Sequence, residues 1–158
     1  MPTFSEFDRE LMVIALEEAQ LAIAHEDVPI GAVIAVDGRV IARRHNEREL
    51  TSDPTAHAEV LALRDAARVL GGWRFDGATM AVTIEPCVMC AGAIVNARVE
   101  RLVFGAHDER FGAVETLFNI GSDERLNHRL EITSGVLAEN CRRLLQDFFR
   151  ARRARSAP

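Results

Sequence analysis

The chain has 158 residues, 48% of them hydrophobic, and this length and composition predict one globular domain over residues 1–158. The net charge of −5 argues against general electrostatic attraction to nucleic acid, and no apolar run is long enough to predict a membrane-spanning helix. Only three cysteines are present and the first residues lack the pattern of a secretory signal, so we predict a cytoplasmic protein without a disulfide framework.

The first predicted helix begins at Ser5, where a carboxylate three residues later completes a capping-box pattern, and it extends to about residue 25. A hairpin follows this helix. Its strands are predicted at residues 31–36 and 39–42, which are rich in apolar and β-branched side chains. The Asp37-Gly38 dipeptide between them suits a tight primed turn.

The second half of the pattern alternates strands and helices. After a loop at residues 50–55, the predicted elements are helix 56–70, strand 79–84, helix 87–96, strand 101–105, strand 130–133 and a C-terminal helix. Gly71-Gly72 ends the first of these helices in the usual left-handed exit. An initial hairpin followed by alternating strands and helices predicts an α/β fold, a three-layer α/β/α sandwich around a five-stranded mixed sheet.

The candidates for metal chemistry lie at two predicted helix starts. His57-Ala58-Glu59 opens one helix and Pro86-Cys87-Val88-Met89-Cys90 opens another. The positive end of a helix dipole lowers the pKa of nearby thiols, which makes thiolates available. Two thiolates and one imidazole balance the charge of Zn²⁺ and leave its fourth position open for water, as in catalytic sites. We therefore predict one zinc ion per subunit, bound by His57, Cys87 and Cys90.

Glu59 is the predicted proton carrier of this site. Zinc lowers the pKa of a water molecule, and a neighbouring carboxylate can take that proton and deliver it elsewhere. Residues two apart on a regular helix point about 200° away from each other. His57 and Glu59 can therefore share a site only where the helix begins irregularly, and Pro54-Thr55 makes such a start plausible.

Neither half of the pattern is specific by itself, because H-x-E is common and C-x-x-C is found in both metal and redox sites. In this order they form the known signature of the zinc-dependent nucleobase deaminases. All 19 Lys or Arg positions are arginine, which excludes chemistry that needs a lysine. The predicted reaction is hydrolytic: activated water attacks the amine-bearing ring carbon after Glu59 has taken its proton, and ammonia leaves.

Several segments resemble the bacterial tRNA-specific adenosine deaminases, and the resemblance covers nearly the whole chain. They are Asp53-Pro-Thr-Ala-His-Ala-Glu59, Val82-Thr-Ile-Glu-Pro-Cys-Val-Met-Cys-Ala-Gly-Ala93, Val103-Phe-Gly-Ala106, Asn127-His-Arg129 and Asp147-Phe-Phe-Arg150. The resemblance implies the fold of the cytidine deaminase superfamily and a homodimer. It also implies conversion of adenosine to inosine at the wobble position of a tRNA anticodon stem-loop.

The same resemblance implies four substrate-binding residues. Asn46 matches the position that hydrogen-bonds the flipped base, Ala58 belongs to the same pocket, and Phe149 with Arg150 matches the segment that contacts the anticodon loop. Read without the resemblance, Asn46 is equally well a turn residue after a strand, and core packing claims one residue of the Phe148-Phe149 pair.

The C-terminal helix carries six arginines from residue 142 onward, against one acid. They are interpreted either as a solvated helix end or as an RNA-contacting surface. Cys141 falls on the apolar stripe of this helix and is predicted to be buried, not a ligand. The chain departs from the family pattern at Val114 and Glu115, where the additional acid is expected to repel phosphate.

Two other functions remain open at this point. A deaminase of free guanine, cytosine or a nucleoside would use the same metal site in a pocket closed to polymers. A non-catalytic, zinc-stabilised RNA-binding module is the second, and Glu59 argues against it, because a structural zinc site has no use for a neighbouring proton carrier.

Overall fold

The computed structural model describes residues 3–157, which form five strands and five α-helices. The strands are β1 (Gly31–Val36), β2 (Arg39–His45), β3 (Ala78–Ile84), β4 (Arg101–Ala106) and β5 (Glu131–Ser134). The helices are α1 (Glu6–Leu21), α2 (Arg48–Thr51), α3 (Ala58–Leu70), α4 (Val88–Asn96) and α5 (Ala138–Ser156), and a 3₁₀ turn at Ala22–His25 prolongs α1.

The strands form one sheet in the order β2-β1-β3-β4-β5. β1 pairs antiparallel with both β2 and β3, whereas β3–β4 and β4–β5 are parallel. The predicted five-stranded mixed sheet is therefore confirmed.

Helices cover both faces of the sheet. Alternate residues of a strand point to opposite faces, and Val33, Ala81 and Val103 pack with α1 and the start of α5. Their neighbours Ile34 and Met80 pack on the other face with α3 and α4. The result is the predicted three-layer α/β/α sandwich, with one apolar core on each side of the sheet.

Local signals in the sequence account for the first elements. Ser5 and Asp8 form the capping box that starts α1. Asp37 and Gly38 both have positive φ angles, 51° and 73°, as a primed turn requires. α1 also lies very close to the sheet at Gly31, where a Cβ atom would stand 2.0 Å from the carbonyl oxygen of Ala15. A side chain at this position would force the two layers apart.

Three differences from the prediction exceed one residue. α3 begins at Ala58 and not at residue 56, because the amide of Ala56 bonds the Asp53 carbonyl in a preceding turn. The predicted loop at 50–55 contains the last turn of α2, whose first amides are bound by the carboxylate of Asp27 from a distant part of the chain. β2 extends to His45, three residues beyond the predicted end, because this edge strand stays paired with β1.

Within residues 3–157, no helix combines the length and the apolar character needed to cross a membrane.

The functional site is positioned where the first residues of two helices meet. α3 and α4 pack side by side on one face of the sheet. α4 begins just after the end of β3, so its first residues are fixed by a buried central strand.

Candidate active site

The predicted ligands lie at the first residues of α3 and α4. His57 is the N-cap of α3 and has an extended backbone, with φ −74° and ψ 149°. Cys87 is the N-cap of α4, also extended, and Cys90 lies one turn into that helix. The structure therefore brings together the three side chains that the sequence places 30 and 33 positions apart.

The distances between these side chains fit a tetrahedral ion. His57 Nδ1 lies 3.6 Å from Cys87 Sγ and 3.4 Å from Cys90 Sγ, and the three candidate ligand atoms lie within 4.8 Å of one another. In a tetrahedral zinc site with ordinary Zn–N and Zn–S bonds, the edge from nitrogen to sulfur is about 3.6 Å. The donor set thus fits zinc and leaves one coordination position without a protein ligand.

The two sulfurs influence each other strongly. A hydrogen bond from Cys90 lowers the pKa of Cys87 to about 4, whereas that bond and burial raise the pKa of Cys90. Two thiolates so close repel each other, and a divalent cation bound between them would remove this repulsion.

Glu59 lies in the first turn of α3 and is 3% exposed. Burial raises the pKa of its carboxyl above the usual range, and the charge on Cys87 acts in the same direction. Because His57 is an extended cap residue and not a helical one, the two side chains can line the same cavity. A raised pKa makes the buried carboxylate a stronger proton acceptor than an exposed one, which suits a proton carrier.

A cavity of about 590 Å³ opens beside these residues, a volume within the usual range for small-molecule sites. Its lining combines apolar side chains with charged, polar and aromatic ones. The lining residues are Val28, Ile30, Asn46, Arg48, His57, Ala58, Glu59, Ile84, Cys87, Asp108, Arg110, Phe111, Leu145, Phe149 and Arg152.

Comparison with known proteins agrees with this geometry. The chain is 50% identical over 143 residues to the tRNA-specific adenosine deaminase of Bacillus subtilis, which covers 90% of this chain and 89% of the relative. The chain belongs to the tRNA-specific adenosine deaminase family. The resemblance that the sequence motifs indicate is thereby confirmed, and the MafB19-like deaminase family also matches residues 7–153.

Solved structures of deaminases share the fold. A tRNA:A34 deaminase superposes with a TM-score of 0.83 at 43% identity, covering 86% of this chain and 99% of its own. A guanine deaminase from Nitrosomonas europaea superposes with a TM-score of 0.77 at 27% identity, covering 89% and 83%. The predicted cytidine deaminase-like fold is confirmed.

Asn46 and Ala58, two of the residues for which the family resemblance implies substrate binding, line the cavity. Asn46 is buried; its Nδ2 donates to the carbonyl oxygen of Val28, and its Oδ1 accepts from the amide of Arg48. A side-chain amide has two N–H groups and two lone pairs on oxygen, so one donor and one acceptor site remain for a ligand. Ala58, which lies between His57 and Glu59 in the sequence, is fully buried and lines the cavity. Its small side chain leaves room there.

The structure places Phe149 and Arg150 of the family's C-terminal segment differently, and the anticodon contact that the resemblance implies for both stays a prediction. Phe148 packs into the core and Phe149 lines the cavity. Arg150 instead points to solvent, where its side chain is 72% exposed and pairs with Asp147. Arg152 lines the cavity in its place. Helical spacing could have indicated this, because Arg152 is three residues after Phe149 and shares its face, whereas Arg150 is rotated by about 100°.

Val114 and Glu115, at which the sequence departs from the family pattern, have different surroundings in the structure. Val114 is buried in the core beneath α3 and α4. The Glu115 side chain is 41% exposed and lies 3.0 Å from His107 Nε2. The additional acid therefore has a hydrogen-bonding neighbour in His107, and the repulsion of phosphate expected from the sequence stays a prediction.

Three further lining residues were not predicted from the sequence, and they are Asp108, Arg110 and Phe111. They lie on a loop after β4 that carries no motif of its own. Phe111 is 64% exposed although it borders the cavity. An exposed aromatic ring beside a pocket is suited to stacking on a flat ligand.

Proposed function

We propose that this chain is a zinc-dependent hydrolytic deaminase that converts adenosine to inosine at the wobble position of a tRNA anticodon. The observation that carries the proposal is the cluster of His57, Cys87 and Cys90, with zinc-like spacings, beside the buried Glu59. The high identity to tRNA-specific adenosine deaminases supports the choice of substrate.

In this proposal the three side chains hold zinc, one ion per subunit. When bound, zinc would act as a Lewis acid and lower the pKa of a water molecule towards neutrality. Glu59 accepts the proton of that water and delivers protons to the purine ring nitrogen and to the departing amine, so that water and adenosine yield inosine and ammonia. Its buried position keeps bulk solvent from competing for these protons.

The cavity suits a base that has left its stack. Bases in an anticodon loop are already unpaired, so their entry into a pocket costs less than extrusion from a duplex. We assign the free hydrogen-bonding positions of Asn46 to the base and the ring of Phe149 to the neighbouring nucleotide. Arg48, Arg110 and Arg152 concentrate positive charge at the cavity, which offsets the negative net charge locally.

We further propose that the single domain works as a homodimer in the cytoplasm, where its tRNA substrate is found. Family membership supports this assembly. Light scattering of the purified protein is expected to give twice the mass of one chain. A monomer that retains full activity would remove the dimer from the proposal without affecting the chemistry.

The decisive experiment is mass spectrometry of tRNA incubated with the purified zinc-loaded protein. We expect inosine at the wobble position and release of an equal amount of ammonia. A second candidate, deamination of a free base, is favoured by the similarity to a guanine deaminase. Ammonia release from free guanine, with no inosine formed in tRNA, would select this candidate instead.

A further inference from the structure

A buried carboxylate lies beneath the loop that follows β4. Glu85 is 2% exposed and stands two positions before Cys87. Its side chain accepts hydrogen bonds from the backbone amides of four loop residues and from one loop hydroxyl. The donors are the amides of Asp108, Val114, Glu115 and Thr116 and the hydroxyl of Thr116.

Two further features fit the loop to this carboxylate. The amide of Ala113 bonds the carbonyl oxygen of Pro86, so the loop also binds the backbone beside Glu85. A Cβ atom at Gly112 would stand 2.4 Å from Oε1 of Glu85. Glycine is therefore required at this position for the loop to approach so closely.

The loop carries one wall of the cavity. Asp108, Arg110 and Phe111 line the cavity, and the Asp108 carboxylate accepts from the amides of the other two. The amide of Asp108 is itself bound by Glu85. A continuous chain of hydrogen bonds thus leads from Glu85 to the side chains at the cavity.

We infer that Glu85 is a positioning residue for the substrate, which fixes the loop at 108–116 against the segment that carries Cys87. This inference rests on the proposed function. Only an ionised carboxylate can accept all five bonds, because a neutral amide would turn an N–H group towards some of the donors. The hydrogen bonds of the Glu85 side chain go to loop amides and to the Thr116 hydroxyl. Glu85 therefore acts on the cavity through the loop.

The test is Glu85→Gln. This substitution removes the negative charge of the side chain and keeps its shape almost unchanged. Steady-state kinetics on an anticodon stem-loop should show KM about tenfold higher, the effect of losing one charge-assisted hydrogen bond, with kcat within about threefold of wild type. Zinc content should stay at the wild-type value. Hydrogen exchange at the loop amides should be faster than in the wild-type protein.

Asp8→Asn is the matched control, because Asp8 is also a buried carboxylate, but it binds Arg101 at the start of β4, away from the cavity. It should lower Tm without changing KM. If Glu85→Gln lowers Tm in the same way and leaves KM at the wild-type value, Glu85 is only a structural residue and the inference is wrong.

Two further variants, which keep the Glu85 carboxylate, make the test decisive if Glu85→Gln does not fold. Thr116→Val removes one donor at an exposed position, and Gly112→Ala displaces the loop without changing any charge. Both should raise KM and spare kcat, and an unchanged KM in both would overturn the inference. A wild-type protein that forms no inosine would contradict the proposed function, whereas an active wild type with unaffected variants contradicts only the role of Glu85.

Discussion

At the scale of single residues, the chemistry depends on the backbone of His57. An extended residue at the N-cap turns its side chain away from the helical path, so it can share a cavity with a carboxylate two positions later. A fully helical start at residue 56 would have pointed the imidazole and Glu59 about 200° apart. The irregular start is therefore what places a candidate metal ligand next to the proposed proton carrier.

Glu59→Ala should keep zinc and lose turnover. The ligands lie on other side chains, so zinc content should be unchanged, whereas loss of the proton carrier should lower kcat by at least about 10³-fold. Inosine formation and metal analysis measure the two effects. Glu17→Ala, at an exposed position of α1, is the control and should be fully active. Near-normal turnover of Glu59→Ala would exclude the proposed role.

Cys90→Ala should abolish tight zinc binding, because two protein ligands hold zinc much less well than three. Tm should fall in parallel, since a bound metal stabilises only the folded state. Cys141→Ala is the matched control: this cysteine is buried against Gly105 on the other face of the sheet. It should retain one zinc per chain, and an equal loss of zinc from both variants would contradict the ligand assignment.

At the scale of secondary structure elements, one face of α5 contributes side chains to the wall of the cavity. Phe149 and Arg152 are three residues apart and lie towards the cavity, whereas Arg150 faces solvent beside Asp147. Both interpretations of the arginine-rich segment stay open. We expect Phe149 and Arg152, which line the cavity, to contact a nucleic acid that enters it.

Arg152→Ala and Arg150→Ala form a matched pair for this division. Arg152→Ala should weaken binding of the anticodon stem-loop and reduce the slope of log K against log salt by about one, as expected for one phosphate contact. Arg150→Ala should leave both quantities almost unchanged. Fluorescence anisotropy at several salt concentrations measures them. A larger effect from Arg150→Ala would support the contact implied by family resemblance instead.

How far the sequence predicts an element depends on where its determinants lie. The capping box at Ser5, the turn at Asp37-Gly38 and the ligands on α3 and α4 depend on neighbours in sequence, and the structure contains each of them. α2 and the loop at 108–116 were not predicted. Their backbone amides are bound by carboxylates 22 to 31 positions away, Asp27 and Glu85, and such pairings leave no local pattern.

At the scale of the whole molecule, the ion pair between Asp8 and Arg101 is among those that join a helix to the sheet. Asp8 caps α1 and also binds Arg101 at the start of β4 through two hydrogen bonds of 3.0 and 3.1 Å. Burial alone would raise the pKa of Asp8, but the bonds from Arg101 and Ser5 outweigh it and hold that pKa below its usual range. The charged form is thus preferred in the folded protein.

This preference predicts an acid-dependent loss of stability. A carboxyl whose pKa is lower in the folded state contributes stability above its unfolded pKa, about 4, and this contribution is lost as pH falls further through the folded pKa. Asp8→Asn should cost about 2 kcal/mol at neutral pH and less in acid. Urea unfolding at pH 7 and pH 3 measures the difference. A cost that does not shrink in acid would contradict this account.

The order of the site along the chain has a consequence for biosynthesis. The metal donors end at Cys90, whereas the wall formed by Leu145, Phe149 and Arg152 is close to the C-terminus. A ribosome therefore delivers the three proposed metal donors, and Asn46 before them, well before it delivers the part of the cavity wall that belongs to α5. Substitutions in α5 can therefore change the proposed contacts to RNA without altering any of the three proposed metal donors.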